Sequence, residues 1–437
     1  MSPSIEPFPV ENFNELLAQS LGKDIQVKQI EWRPLTAPGE NFGSLMLAIN
    51  VTLTRLNKTD TLHLVGKLPP TSAYLLDLFN SPVTFKKELR FYSAMAKEFT
   101  KLQLESGINE KDINDLAPKY FGGRMGLKDP EAFDQQAAII LENLKYNGYD
   151  TEDRIHGLDK IHTEFALEGL ARLHALTIAL KIKKPQLFQR MAAEVLTDVL
   201  NETTEKCVID MIRKAQADVN DIAELKPYLE RVNKTIEYGI QMNKDMGQPE
   251  EPWATLVHND FWVNNMMFRH DQRGELIDMK IVDFQLCVYD YGVNDLIFFL
   301  ISSAKKDILD NKLNDMIDFY YSCFVRCLKT LKVETDSFAK QKFDEIVNRC
   351  ATLKFNQCMM MAQVIQAPRG STPEIKETKG DDIFLNRVGD DVYKQKLIIH
   401  SKWIYNIFKM KQLNSLLLRN HQIRNINNVH ASLMKLQ

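Results

Sequence analysis

The sequence predicts an α+β chain in two lobes. A small N-terminal lobe carries an antiparallel sheet and a helix, and a larger C-terminal lobe is mostly helical. Three observations predict it. Strand-like runs gather in the first third of the 437 residues, around one amphipathic segment. Helical spacing dominates from about residue 163 onward. Between them in weight stands a polar signature: residues 258–265 read HNDFWVNN, and eighteen positions later Asp283 stands in IVDFQ.

Residues 12–21 read as a short helix with Asn12 as its N-cap. Leu45 to Leu53 (LMLAINVTL) and Leu62 to Leu68 (LHLVGKL) read as strands, joined by the polar turn Arg55 to Asp60. Before the first of them lies PGENFGS, with Gly39, Asn41, Gly43 and Ser44. Two glycines four apart allow a tight loop whose amides face a phosphate, though most such loops are plain turns. Lys67 ends the second strand, with Val65 and His63 on its face. A lysine there is either a solvated edge residue or a contact to nucleotide phosphates, with Val65 forming part of the ceiling over the base. Thr84 to Lys97 reads as a helix capped by Thr84, its inner stripe formed by Phe85, Leu89, Tyr92 and Met95. Glu88 falls in or beside that stripe, where charges are usually avoided. It either reaches water or pairs with Lys67.

Ala137 to Leu141 reads as a buried strand that passes through Glu142-Asn143-Leu144 into a polar, glycine-containing connector. That pattern suits a hinge whose backbone meets a nucleobase, Glu142 and Leu144 included. The division falls near residue 144, giving a nucleotide-binding lobe over 1–144 and a catalytic and substrate-binding lobe over 145–437. Thr163 to Lys181 reads as a central buried helix, with His174 packed in the core. Helices also fit 187–217, 222–246, 312–332, 337–361 and 390–418, and residues 367–380 read as a mobile polar loop.

The polar signature carries the chemistry. Asp260 can take a proton from a hydroxyl, and Asn265 and Asp283 can hold magnesium against nucleotide phosphates. Residues 266–268 and 277–282 read as strands around a polar turn with Gly274. Closing that hairpin sets Asn265 beside Asp283, as joint metal binding requires. His258 supports the loop by hydrogen bonding. Asp295 braces it from the next helix, or simply caps that helix.

Composition excludes other classes. A net charge of −3 with 26% charged residues gives no footprint for nucleic acid. The longest apolar run, Leu296 to Ile301, is too short to span a bilayer. The N-terminus shows no basic-then-apolar leader, and the six cysteines form no Cys-x-x-Cys zinc pair. A cytoplasmic monomer with reduced cysteines is expected.

The order GENFGS, VGKLPP, FKKELRFY, IILENL, ARLHAL and HNDFWVNN…VDFQ resembles the ecdysteroid kinase-like family of insects, also called the choline/ethanolamine-kinase-like domain family, from about residue 30 to 365. The Trp-Val-Asn-Asn run and Asp-Phe-Gln are specific, and the other motifs are shared with choline and aminoglycoside kinases. The resemblance implies a bilobal protein-kinase-like fold, ATP and Mg2+, and phosphorylation of a small-molecule alcohol, among them ecdysteroids or related steroid and xenobiotic alcohols. It implies that Lys67 contacts phosphates, Glu88 pairs with it, Asp260 is the base, and Asn265 and Asp283 bind metal. Two departures stand out: Asn259 where the family commonly has a small residue, and Gln285 where protein kinases have glycine. A choline-type kinase, with Trp403 and Tyr405 as cage candidates, is the runner-up. A nucleotide-binding scaffold is the third reading, against which the full residue set argues.

Overall fold

The computed structural model describes residues 7–35, 43–56, 58–113, 115–197, 199–242, 248–367 and 391–409. Gly39 and Asn41 therefore lie outside the described residues, as do the mobile loop expected after residue 367 and the last part of the final helix.

After helix α1 (Phe13–Leu21), three strands follow: β1 (Ile25–Pro34), β2 (Leu45–Arg55) and β3 (Lys58–Leu68). With β4 (Tyr120–Arg124) and β5 (Ala138–Glu142) they form an antiparallel sheet in the order β1-β2-β3-β5-β4. Asn12 does precede α1, but in a left-handed conformation and without a side-chain cap bond. The β2–β3 turn is tighter than expected, since pairing runs to Arg55↔Lys58. Strand β1 escapes period-2 reading because its register shifts between Val27 and Gln29. That extra residue puts Ile25 and Val27 in one phase and Ile30 and Trp32 in the other. Strand β4 carries Gly122, where a Cβ would come 2.1 Å from the Leu16 carbonyl, so only glycine lets α1 lie this close to the sheet.

Helix α2 (Ala73–Leu78) leads to α3 (Ser81–Arg90), which runs through a π turn at Phe91–Met95 into α4 (Ala96–Glu105). Thr84 does not cap this helix. The helix starts at Ser81 with Pro82 in its first turn, and the Thr84 hydroxyl turns back to the carbonyls of Phe79 and Asn80. Phe85, Leu89, Tyr92 and Met95 are all buried, as their spacing requires.

After β6 (Tyr149–Asp150) come α5 (Lys160–Lys183), α6 (Pro185–Val195), α7 (Glu202–Asn220) and α8 (Leu229–Met242). The helix expected over 187–217 is thus two. The next strands are β7 (Ala254–Val257), β8 (Met266–His270), β9 (Leu276–Ile281) and β10 (Val288–Tyr291). Helices α9 (Val293–Ser303), α10 (Lys306–Asn311), α11 (Leu313–Thr330), α12 (Lys340–Ile365) and α13 (Asp391–Lys409) complete the chain. Helix α9 is buried along its whole length and gives the loops before it a rigid floor. Among the described residues no helix is long and apolar enough to cross a membrane.

Candidate active site

Lys67 is not an edge residue. Strand β3 is central, so Lys67 pairs with Met46 on one side and Ile139 on the other, and only 4% of it is exposed. Its Nζ donates to Glu88 Oε2 at 2.5 Å, to Asp283 Oδ1 at 2.8 Å and to Gln285 Oε1 at 3.4 Å. Burial alone would pull the ammonium pKa down. The Asp283 and Glu88 carboxylates outweigh it, and the net shift is upward. Glu88 is 2% exposed; burial pushes its carboxyl up while Lys67 pulls against that. Val65, two residues back on β3, is buried.

The π turn has a local consequence. It places the Tyr92 hydroxyl against Glu88 and within 3.3 Å of the Asp283 N–H, which donates to it. Phe91 from the same turn stacks on Phe284 at 3.6 Å between ring centroids. The helix that carries Glu88 is thereby clamped to the segment that carries Asp283.

The β8–β9 hairpin closes with Met266 opposite Ile281, and the Val282 N–H donates to the Asn265 carbonyl at 3.0 Å. Asn265 and Asp283 accordingly stand side by side. The Asn265 amide donates to the Asp260 backbone carbonyl and to its Oδ2, both at 2.9 Å. Burial pushes the Asp260 carboxyl up to about 7, and the neighbouring Asp283 charge adds to the rise against the pull of Asn265. Asp283 has φ 69° and Asn259 has φ 66°, the left-handed region that Asn and Asp enter most readily among non-glycine residues. Backbone strain at Asn259, next to Asp260, and at Asp283 marks a site that the surrounding fold over-determines.

That surrounding fold is specific. Asp295 is buried in the first turn of α9 and does not cap it. Its Oδ2 accepts the His258 N–H at 2.6 Å, and its Oδ1 accepts the Asn259 N–H at 2.8 Å. His174, read from sequence as a plain core histidine, lies 3.3 Å from Asp295 through Nε2 and 2.6 Å from the Tyr320 hydroxyl through Nδ1. Gly292 exists for this contact, because a Cβ there would meet His174 Nδ1 at 2.6 Å. Burial would raise the Asp295 pKa; the bonds and charge of His174 and His258 overcome it and hold the carboxyl below its usual value. His258 Nε2 bonds the Val282 carbonyl at 3.0 Å and so joins the loop to the segment that carries Asp283; burial lowers its pKa.

The expected nucleotide loop is described only from Gly43, whose Cβ position faces the Gln285 amide at 3.6 Å; Ser44 is buried beside Met46. At the connector, Glu142 uses its carboxylate on the Lys119 N–H at 3.1 Å and on the Asn147 amide. The Leu144 carbonyl accepts from Asn147 and Tyr149. These bonds shape the connector, and they leave the Glu142 side chain committed to it.

Four further residues enter the site in roles that no motif assigns. Gln285 bridges Lys67 and Asp283, donating to Asp283 Oδ2 at 3.3 Å. Tyr92 bonds the Asp283 amide. From α12, Lys354 donates to Asn259 Oδ1 at 2.8 Å, and Gln357 donates to the Asn259 carbonyl at 2.7 Å. Only the departures at positions 259 and 285 could have pointed to them. The two cage candidates are engaged elsewhere: Arg231 lies 4.4 Å over the Tyr405 ring, and Trp403 packs against the core.

Lys67 thus bonds Glu88 and Asp283, Asn265 bonds Asp260, and the backbone bond from Val282 to Asn265 sets the two groups side by side. The Asn265 amide oxygen and the Asp283 carboxylate are hard oxygen donors of the kind a divalent cation takes.

The family model of the ecdysteroid kinase-like family matches residues 38–333. No curated protein matches the chain. Among solved structures, the chain is similar to choline kinase from Cryptosporidium parvum Iowa II at 11% identity, over 92% of this chain and 93% of that one, with a TM-score of 0.40. Plasmodium vivax ethanolamine kinase gives 8% identity over 85% and 82%, with a TM-score of 0.38. A microcompartment-associated aminopropanol kinase gives 12% over 88% and 94%, with a TM-score of 0.43. Scores this low say nothing about substrate.

Proposed function

The chain belongs to the ecdysteroid kinase-like family, and on that premise we propose that it transfers the γ-phosphoryl group of ATP to a hydroxyl of a small, uncharged alcohol, an ecdysteroid or a related steroid or xenobiotic. It is a small-molecule kinase, a phosphotransferase with an alcohol acceptor. The observation that carries the mechanism is the bond network from Lys67 through Asp283 and from Asn265 to Asp260.

In this reading Lys67 exchanges its contact with Asp283 for the α- and β-phosphates and keeps Glu88, which fixes its position. Asp260 receives the acceptor's hydroxyl hydrogen and orients its oxygen in line with the γ-phosphorus. Asn265 and Asp283 would hold Mg2+, which when bound neutralises charge on the phosphates. The loop with Gly43 and Ser44, and Val65 below it, would cover the nucleotide, and the lobes would meet near residue 144.

Lys354 supports the acceptor class. Its ammonium is bound to Asn259, next to the proposed base, so a cation already stands on that side of Asp260. A second cation is disfavoured there, and Arg231 already occupies the Tyr405 ring. A neutral polyol or phenol fits better than choline.

The test is ATP consumption by the purified chain with Mg2+ against ecdysone, 20-hydroxyecdysone, choline, ethanolamine and plant phenolics, beside Asp260→Ala. Turnover of a steroid or phenol that Asp260→Ala abolishes is expected. Turnover of choline alone would overturn the acceptor class. Turnover that survives Asp260→Ala would overturn the role of the base.

A further inference from the structure

A second cluster stands apart from the phosphoryl-transfer residues. His162 lies in the first turn of α5, His270 ends β8, and Glu152 sits in the stretch after β6. The Nε2 atoms of the two histidines face each other at 3.2 Å, and a Glu152 oxygen lies 3.5 Å from His162 Nε2. One ligand atom from each residue falls within 4.8 Å of the others.

Two ligands on a tetrahedral zinc ion, at roughly 2.0–2.1 Å from it, stand about 3.3 Å apart. The His162–His270 spacing of 3.2 Å is close to that; without an ion the same contact is an N–H···N hydrogen bond in which one ring donates. The His162 ring is also held as a ligand ring is held. Its Nδ1 bonds Asp159 Oδ1 at 2.8 Å, and the edge of Phe268 packs on it at 5.2 Å between centroids. A carboxylate on Nδ1 fixes the tautomer with its lone pair on Nε2, the arrangement common behind metal-bound histidines. Asp159 accepts the His162 N–H as well, so the same carboxylate offsets the positive end of α5, which would otherwise oppose a cation.

We propose that Glu152, His162 and His270 bind a zinc-type divalent ion, with solvent completing its shell. Binding directs both Nε2 lone pairs at the ion, and His270 then carries its proton on Nδ1. Two imidazoles and one carboxylate select Zn2+ or a neighbouring late divalent metal over Mg2+, which prefers oxygen. The ion would tie the connector and the start of α5 to the far end of β8, the strand that begins directly after Asn265.

The experiment is a Co2+ titration of the full chain in excess Mg2+, followed by visible absorption, with displacement by Zn2+. It uses wild type, His162→Ala, His270→Ala, Asp159→Asn and Asp283→Asn, with circular dichroism to verify folding. His270 is exposed, so its variant does not rest on core packing. One equivalent should bind to wild type and equally to Asp283→Asn. Affinity should fall at least ~10-fold in each histidine variant and about 10–100-fold in Asp159→Asn. Absence of binding to wild type, wild-type affinity in both folded histidine variants, or a thiolate charge-transfer band placing the ion on a cysteine would each overturn the proposal.

Discussion

Asp295→Asn tests whether α9 sets the geometry of the proposed base. The substitution keeps shape and removes one acceptor oxygen and the charge. Asp295 now accepts two backbone N–H groups, from His258 at 2.6 Å and Asn259 at 2.8 Å, with His174 3.3 Å away. An asparagine can accept with its oxygen only, so one of those buried N–H groups meets an NH2 donor. An unsatisfied buried donor costs about 1–3 kcal/mol, and bonds to a charged acceptor sit at the upper end, so a loss of about 2–3 kcal/mol is expected. The displaced residues immediately precede Asp260. A shift near 1 Å there lowers kcat by roughly 10²-fold. KM for ATP should stay within about twofold, because the Lys67–Glu88 pair sits on β3 and α3, across the site from this loop.

The pH dependence gives a second, independent reading. The folded state holds Asp295 below its ordinary value, chiefly through His174 and His258 against the cost of burial. Its contribution is therefore present above the unfolded carboxylate pKa of about 3.9 and is lost as pH falls through the lower folded value. The stability gap between wild type and Asp295→Asn should be constant from neutrality down to about pH 5 and narrow below about pH 4. Urea denaturation across that range, with steady-state kinetics on the best acceptor, measures both effects. A variant within about 0.5 kcal/mol of wild type, with unchanged kcat, would refute the bracing role.

Lys67→Met should lower kcat by about 10²–10³-fold in the same assay, since it removes the buried donor and leaves the Glu88 and Asp283 carboxylates facing each other. Lys354→Met should raise the acceptor KM several-fold and leave KM for ATP unchanged, because Lys354 holds Asn259 and touches no proposed nucleotide contact; a change in ATP KM instead would move α12 away from the acceptor side. At Asn259, with φ 66°, Val should cost about 1–2 kcal/mol in urea denaturation, while Gly should cost less than Val despite losing the Lys354 bond.

What the sequence makes legible depends on how far apart the partners lie. The Asn265–Asp283 pairing follows from a hairpin only a few residues long, so period-2 alternation and one glycine turn suffice to predict it. Glu88 is readable because a charge on an apolar helical stripe is itself an anomaly, and the Lys67 contact explains it. β1 is opaque for a local reason: one bulge breaks its alternation. The π turn is opaque because no residue type announces an i→i+5 bond, yet it aims Tyr92 at Asp283. His174 is the instructive case. Burial is legible from its place on α5, and a core histidine it is. Its partner is 121 residues away, and nothing in a helical stripe distinguishes a ring that merely fills space from one set against the carboxylate that holds two N–H groups of the loop at Asp260. Gly292 supplies the missing constraint. It is required only because His174 occupies the space a Cβ would take, so the loop, the brace and the glycine are one packing solution, visible only when α5 and α9 are brought together.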